Sequence, residues 1–337
     1  LGDETASGED IAALAAAWGR VPEMARRLAD EAVDARLTAG VVSAEIRTLT
    51  GRAAQLAEAA SDADAPAGRY AVLVLGSAGR GESLLAADQD NAIVFDVPDG
   101  EEEAADAHFA ALGAAMADSL DAIGIPYCDG GVMAREPAWR KPLAGWRETV
   151  DGWIRRQRPE DLLYVDIFFD CATVHGDAAL GEELRAYALE RACAMPSFLV
   201  ALSLSLRGWR SPLATFGGFR TGTDGRVDLK AGGLMPIFSA ARILAIKAGS
   251  PARATPDRLR AASAAGLASE SQLEGLIEAH GVILDAILRQ QIADAEAGIR
   301  PGNRVAPAAL SKSQRNALRD ALRDVPGAID LVREGML

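Results

Sequence analysis

The chain has 337 residues, 49% of them hydrophobic and 25% charged, with 35 basic against 48 acidic side chains and a net charge of −13. That length predicts about two domains. The acidic balance disfavours a general phosphate-neutralising surface, and nucleic acid is therefore not an expected partner.

Taken in chain order, residues 1–60 read as an N-terminal helical segment, with Ile11, Leu14, Trp18, Val21 and Leu28 recurring on one apolar face. "SDADAPAG" at 61–68 is rich in breakers and reads as a linker. "YAVLVLG" and "NAIVFDV" read as neighbouring strands. Glu101 to Ile123 reads as a helix whose first-turn acids suit the dipole. "IPYC" is a short strand candidate, and "PAWRKPLAGWRETVDGWIRRQ" is helical after its second proline. There Trp139, Trp146 and Trp153 are expected in the core. "DLLYVDIFFDCATVHGD", 161–177, is rich in β-branched and aromatic residues and reads as a strand. From 179 the pattern is helical, interrupted by "TFGGFRTGTDGRVDL" as a glycine-rich loop or hairpin. The expected fold is α/β (α+β). A mixed-sheet domain over 61–178 carries the N-terminal helices and is followed by a helical bundle over 179–337.

No apolar run approaches the roughly 20 residues that span a bilayer, and no basic, apolar signal segment opens the chain. The first residue, Leu1, suggests a piece of something longer. Cys128, Cys171 and Cys193 are odd in number and lack C-x-x-C spacing, which fits reduced thiols in a cytoplasmic protein. His108, His175 and His280 are too dispersed for a zinc site.

The chemistry concentrates in "LVLGSAGRGESLLAADQDNAIVFD", residues 73–96. Gly76, Gly81 and Ser83 fit the frame of a phosphate-binding loop, but Glu82 occupies its lysine position and would repel phosphate. A dinucleotide fingerprint fails because the glycines run G-x-x-G-x-G. An EF-hand fails because Ile93 stands where glycine is required. What remains is a strand, a Gly-Ser turn, and an Asp-x-Asp pair leading into a second strand. Asp88 and Asp90, two apart, project the same way and can converge on one or two Mg²⁺ ions. Gly76 and Ser77 can offer backbone N–H groups and a hydroxyl to a triphosphate. "YVDIFFD" offers a third acid inside an apolar run. Asp166 and Asp170 both qualify by pattern, and the mid-strand position favours Asp166.

This h-G-S…D-x-D…h-D-h constellation resembles the DNA polymerase β-type nucleotidyltransferase superfamily. "LGSAGRGESLLAADQDNAIVF" is similar to the protein-PII uridylyltransferase branch, G-S-x-G-R-x-E…(S/T)-D-x-D. It is closer still to nucleotidyltransferases downstream of CBS and cyclic-nucleotide-binding domains in bacterial signalling proteins. "GGVMAREPAWRKPLAGW", "LLYVDIFFDCATVHGD" and "GRVDLKAGGLMPIFSAARILA" extend the resemblance from about residue 10 to the C-terminus.

The resemblance implies a Mg²⁺-dependent enzyme that transfers a nucleoside monophosphate from UTP or ATP to a hydroxyl of a protein or small-molecule acceptor. Asp88, Asp90 and Asp166 would be the catalytic metal ligands, and Gly76, Ser77 and Arg80 would bind the nucleotide. Glu82 would orient the loop. Lys230 and Arg242, in "DLKAGGLMPIFSAAR", are candidates for triphosphate or acceptor contacts. Ala87 departs from the threonine many relatives carry, without removing a metal ligand. The competing expectation is a nucleotide-sensing signalling module without turnover. UTP and ATP are not separated by these residues.

Overall fold

A computed structural model describes residues 2–61, 65–214 and 217–336. Four N-terminal helices, α1 (Gly2–Ala6), α2 (Ile11–Trp18), α3 (Val21–Asp30) and α4 (Ala35–Ala59), lead into strand β1 (Arg69–Val74). Residues 62–64 of the expected linker lie outside the described residues. The short helix α5 (Gly76–Arg80) follows β1 directly, and then come β2 (Asn91–Asp96) and α6 (Glu102–Ile123). Next are β3 (Arg140–Pro142), α7 (Leu143–Arg156), α8 (Pro159–Phe168), β4 (Ala172–Gly176) and α9 (Ala178–Cys193). The remainder comprises α10 (Pro196–Ser205), β5 (Val227–Asp228), α11 (Met235–Lys247), α12 (Thr255–Ala264), α13 (Glu270–Glu296), β6 (Arg304–Val305) and α14 (Lys312–Met336).

The four-stranded sheet has the order β3-β2-β1-β4. β1 is antiparallel to β2 and β4, and β2 is parallel to β3. Alternation along the central strands divides the core. Val72, Val74, Ile93 and Phe95 face Val42, Ile46 and Leu49 of α4 and Phe109 and Met116 of α6. Ala71, Leu73, Ala92 and Val94 face a larger core that includes α7, α9 and the C-terminal helices. The three tryptophans are buried there as expected, with Trp146 6.0 Å from Trp139 and 6.3 Å from Trp153 between ring centroids. The α/β (α+β) expectation holds, with helices on both sides of a small mixed sheet.

The strand expected over 161–177 is instead helix α8 followed by the five-residue β4. Pro159 fits the first helical turn, and Asp161 accepts from the Arg158 N–H at 3.3 Å, a start signal that outweighs β propensity. Val165 and Phe168 bury one face, as three-residue spacing permits. An apolar run of this length is ambiguous by periodicity. "IPYC" is irregular rather than a strand. In the glycine-rich interruption, residues 215 and 216 lie outside the described residues. An isolated antiparallel bridge between Leu213 and Phe219 gives the stretch its local pairing, and beyond it β5 pairs with β6 from 77 residues downstream. No single helix among the described residues is long and apolar enough to cross a membrane.

Candidate active site

The site forms where β1 ends. Leu75 N–H donates to the Asp90 carbonyl at 2.9 Å, extending the β1–β2 pairing by one step. Gly76 then turns with φ of +56°, a left-handed value that suits glycine. The first-turn N–H groups of α5 have no partner within the helix. Gly79 is needed for a second reason, since a Cβ there would collide with the carbonyl oxygens of Asp170 and Val74. The Ser77 hydroxyl lies 2.7 Å from that of Ser83, whose own N–H donates to Ser43 of α4 at 2.8 Å.

The Asp-x-Asp pair is aimed by the residues between and after its acids. Gln89 is buried, and its amide donates to the carbonyls of Ala117 and Ile125, both at 2.9 Å. Asn91, also buried, accepts from the Ala134 N–H at 2.8 Å. With these two side chains held on one side of the chain, Asp88 and Asp90 emerge on the other. Their ligand atoms and Cys128 Sγ all lie within 4.8 Å of one another. Burial, and then the like charge of Asp88, push the Asp90 carboxyl up to about 6. The Cys128 thiol donates to that carboxylate and is itself pushed up to about 11 by burial and by Asp90. Two facing carboxylates form a hard oxygen donor set that suits Mg²⁺, while a protonated thiol is a hydrogen-bond donor and not a ligand for it.

The other expected site residues divide into two groups. Ser77, Arg80 and Lys230 line one small cavity of about 40 Å³, together with Phe238 and Gln291. Asp166 and Arg242 are placed elsewhere. Asp166 lies on α8, not on a strand, and its carboxylate accepts from Arg242 Nη1 at 2.6 Å and from the Ser239 hydroxyl at 3.3 Å. It is absent from the Asp88–Asp90–Cys128 group, so its expected role as third metal ligand gains no support from the geometry. Arg242 is 1% exposed and faces Asp170 and Asp166, which removes it from a nucleotide's reach.

Asp170 is the hub of a buried ion network. It is 0% exposed, and it receives Arg242 Nη2 at 2.7 Å, Arg258 Nη1 at 2.6 Å and Arg80 Nη1. Burial alone would raise its carboxyl, but the three guanidinium groups outweigh that and hold it at about 2. Arg80 also donates to Glu82 at 2.7 Å and lies 4.3 Å above the Phe238 ring. Glu82 in turn accepts from the Thr255 N–H at 2.6 Å and lies 3.5 Å from His280. Burial opposes ionisation of Glu82, and His280 and Arg80 overcome it, holding the carboxyl well below its usual range. The G-R-x-E stretch therefore ties α5 to α11, α12 and α13. Arg80, expected as a nucleotide contact, has its guanidinium committed to carboxylates. Cys128 and the Arg258–Asp170 pair were not anticipated as site features. Cys128 carries no local signal, whereas an aspartate closing the apolar "IFFD" marks a buried charge that needs partners.

A Gly-Ser turn at the end of a strand thus stands opposite two carboxylates entering the next strand, on a mixed sheet backed by a helical half. A family model described as "Putative nucleotidyltransferase DUF294" matches residues 19–160. A second, "Putative nucleotidyltransferase substrate binding domain", matches residues 196–334. Together they take in most of the chain, which belongs to this nucleotidyltransferase family. No curated protein matches the chain.

Proposed function

We propose that the protein transfers a nucleoside monophosphate from UTP or ATP to a hydroxyl of a protein or small-molecule acceptor, in the manner of protein-PII uridylyltransferases. The acceptor oxygen bonds to the α-phosphorus, the α–β bridging bond breaks, and pyrophosphate leaves. The observation that carries this reading is the contact between the Gly76 turn and Asp90, with Asp88 beside it. Asp88 and Asp90 would hold one or two Mg²⁺ ions, which supply Lewis-acid stabilisation of phosphate charge when bound. The N–H groups of Gly76 and Ser77 would orient the phosphates. Asp90, ionised above about pH 6, offers a full carboxylate at neutral pH. Lys230, exposed at the mouth of the small cavity, would meet the triphosphate. The α5 helix would be kept in register by Arg80 through Asp170 and Glu82.

A second reading, a nucleotide-sensing module without turnover, draws on the narrowness of the cavity under Ser77. Its 40 Å³ is far below the roughly 300–1,000 Å³ of small-molecule sites. Pyrophosphate release from each NTP, with Mg²⁺ and acceptor-containing lysate, separates the two. Release that disappears in Asp88→Asn supports transfer, and nucleotide binding without release under any of these conditions supports sensing.

A further inference from the structure

A second cavity, of about 520 Å³, lies in the C-terminal half between the end of α10 and the start of α11. Trp209, Pro212, Val227 and Met235 give it a mainly apolar wall, and Arg210 and Arg220 stand at its edge. Trp209 is fixed by a hydrogen bond from Nε1 to the Gly232 carbonyl at 3.1 Å. Asp228, the acid on the wall, is engaged locally and accepts from the Ala231 N–H at 2.9 Å. Two nearby arginines are paired, Arg226 with Asp294 at 2.7 Å and Arg304 with Asp224 at 2.8 Å. Among the described residues, Arg210 and Arg220 have no carboxylate partner, and both are exposed.

We propose that this cavity binds an organic anion with an apolar body. The body would pack on Trp209 and Met235, and the carboxylate, sulfonate or phosphate would meet the two guanidinium groups, which suit planar, charge-assisted pairing. The volume falls within the range of small-molecule sites. The cavity adjoins the proposed nucleotide cleft through one π-helical turn, Lys230–Leu234. Lys230 and Leu234 face the cavity under Ser77, while Ala231 and Gly232 face this one. π-Turns recur at functional sites. The binding claim stands without the nucleotidyltransferase reading.

The test is a fluorescence titration of the full chain with 1-anilinonaphthalene-8-sulfonate, in the absence of metal and nucleotide. One saturable site is expected. Its affinity should fall by about 10-fold or more in the Arg210→Ala/Arg220→Ala double variant and be largely retained in Arg210→Lys/Arg220→Lys. N-Phenyl-1-naphthylamine, which has the same body without the sulfonate, should bind wild type more weakly and ignore the double variant. Both arginines are exposed, so the variants are expected to keep the wild-type circular dichroism spectrum. Equal binding of the sulfonate by wild type and the alanine variant would overturn the proposal. So would equal affinity of wild type for the charged and neutral probes. Mg²⁺–NTP binding is measured separately, so its absence would count against the transferase reading and leave the probe result intact.

Discussion

A β-carbon built on Gly76 would lie 2.5 Å from Oδ2 of Asp90, so the turn and the carboxylate are packed against each other with no room for a side chain. The positive φ at Gly76 adds a second requirement for glycine. Gly76→Ala should displace the Asp90 carboxylate or the turn by a fraction of an ångström. A misplacement of about 1 Å can cost about 100-fold in rate, which sets the upper end of the expected loss. Pyrophosphate release should fall by up to about 100-fold while the circular dichroism spectrum stays that of the wild type. A variant with full activity would show that the contact does not position the site.

Asp90 should carry a pH signature in the metal-free protein. Its carboxyl is raised to about 6 by burial and by Asp88. The folded state therefore holds a proton that the unfolded state releases near 4, and stability falls as pH rises from about 4 through about 6. Asp90→Asn removes this cost. Its Tm should exceed wild type by about 2–4 °C at pH 7.5 and match it at pH 3.5. Saturating Mg²⁺ should narrow the gap at pH 7.5 by stabilising only the wild type. A Tm difference that is the same at both pH values would contradict the assignment.

The two acids of "YVDIFFD" should separate by stability. Asp170→Asn leaves three buried guanidinium groups around a neutral amide, a change that typically costs about 3–5 kcal/mol. It should lower the denaturant midpoint sharply or prevent accumulation of folded protein. Asp166, with a side chain 28% exposed, shares Arg242 with Asp170, so Asp166→Asn leaves that arginine paired and should cost less than Asp170→Asn. Urea unfolding of the two variants checks the order. Wild-type stability in Asp170→Asn would mean that the buried network is not formed in solution.

Cys128 should react slowly. Its thiol is pushed up to about 11, whereas Cys193 is exposed on the last turn of α9. Iodoacetamide at pH 8 followed by peptide mass spectrometry should label Cys193 first, and Cys128 labelling should respond to Mg²⁺ because its partner Asp90 would then face the metal. Removing the donor in Cys128→Ala should raise the pH midpoint of Mg²⁺ binding, since Asp90 would lose a hydrogen bond that favours its charged form.

Much of the candidate site's layout could be read locally, because its parts are close in sequence. The apolar strand, the Gly-Ser turn and the Asp-x-Asp pair all fall within residues 73–96, and alternation around Gln89 and Asn91 sets the direction of both acids. Trp146 and Trp153 were placed correctly because seven-residue spacing marks one face of α7, whereas Trp139 precedes that helix and packs on Trp146 from outside it. The misreadings share a different origin. "LLYVDIFF" carries strand propensity, but Pro159 and Asp161 start a helix, and that places Asp166 against α11 instead of beside the sheet. Arg80 and Arg242 looked available for phosphate because a cation's partners are invisible in sequence. Asp170 claims both of them from 90 and 72 residues away. The closure of β5 by β6 is equally non-local, with no turn signal to announce it.

Asp88 and Asp90 would hold the divalent ion through which the Gly76–Ser77 turn receives an NTP. Isothermal titration of wild type and Asp88→Asn/Asp90→Asn with UTP and with ATP, each in Mg²⁺ and in EDTA, tests it most directly. Saturable binding of at least one of these nucleotides to wild type is expected in Mg²⁺, with loss of that binding both in EDTA and in the double variant, because bare carboxylates repel a triphosphate. Binding of equal affinity in EDTA, or undiminished binding by the double variant, would contradict it.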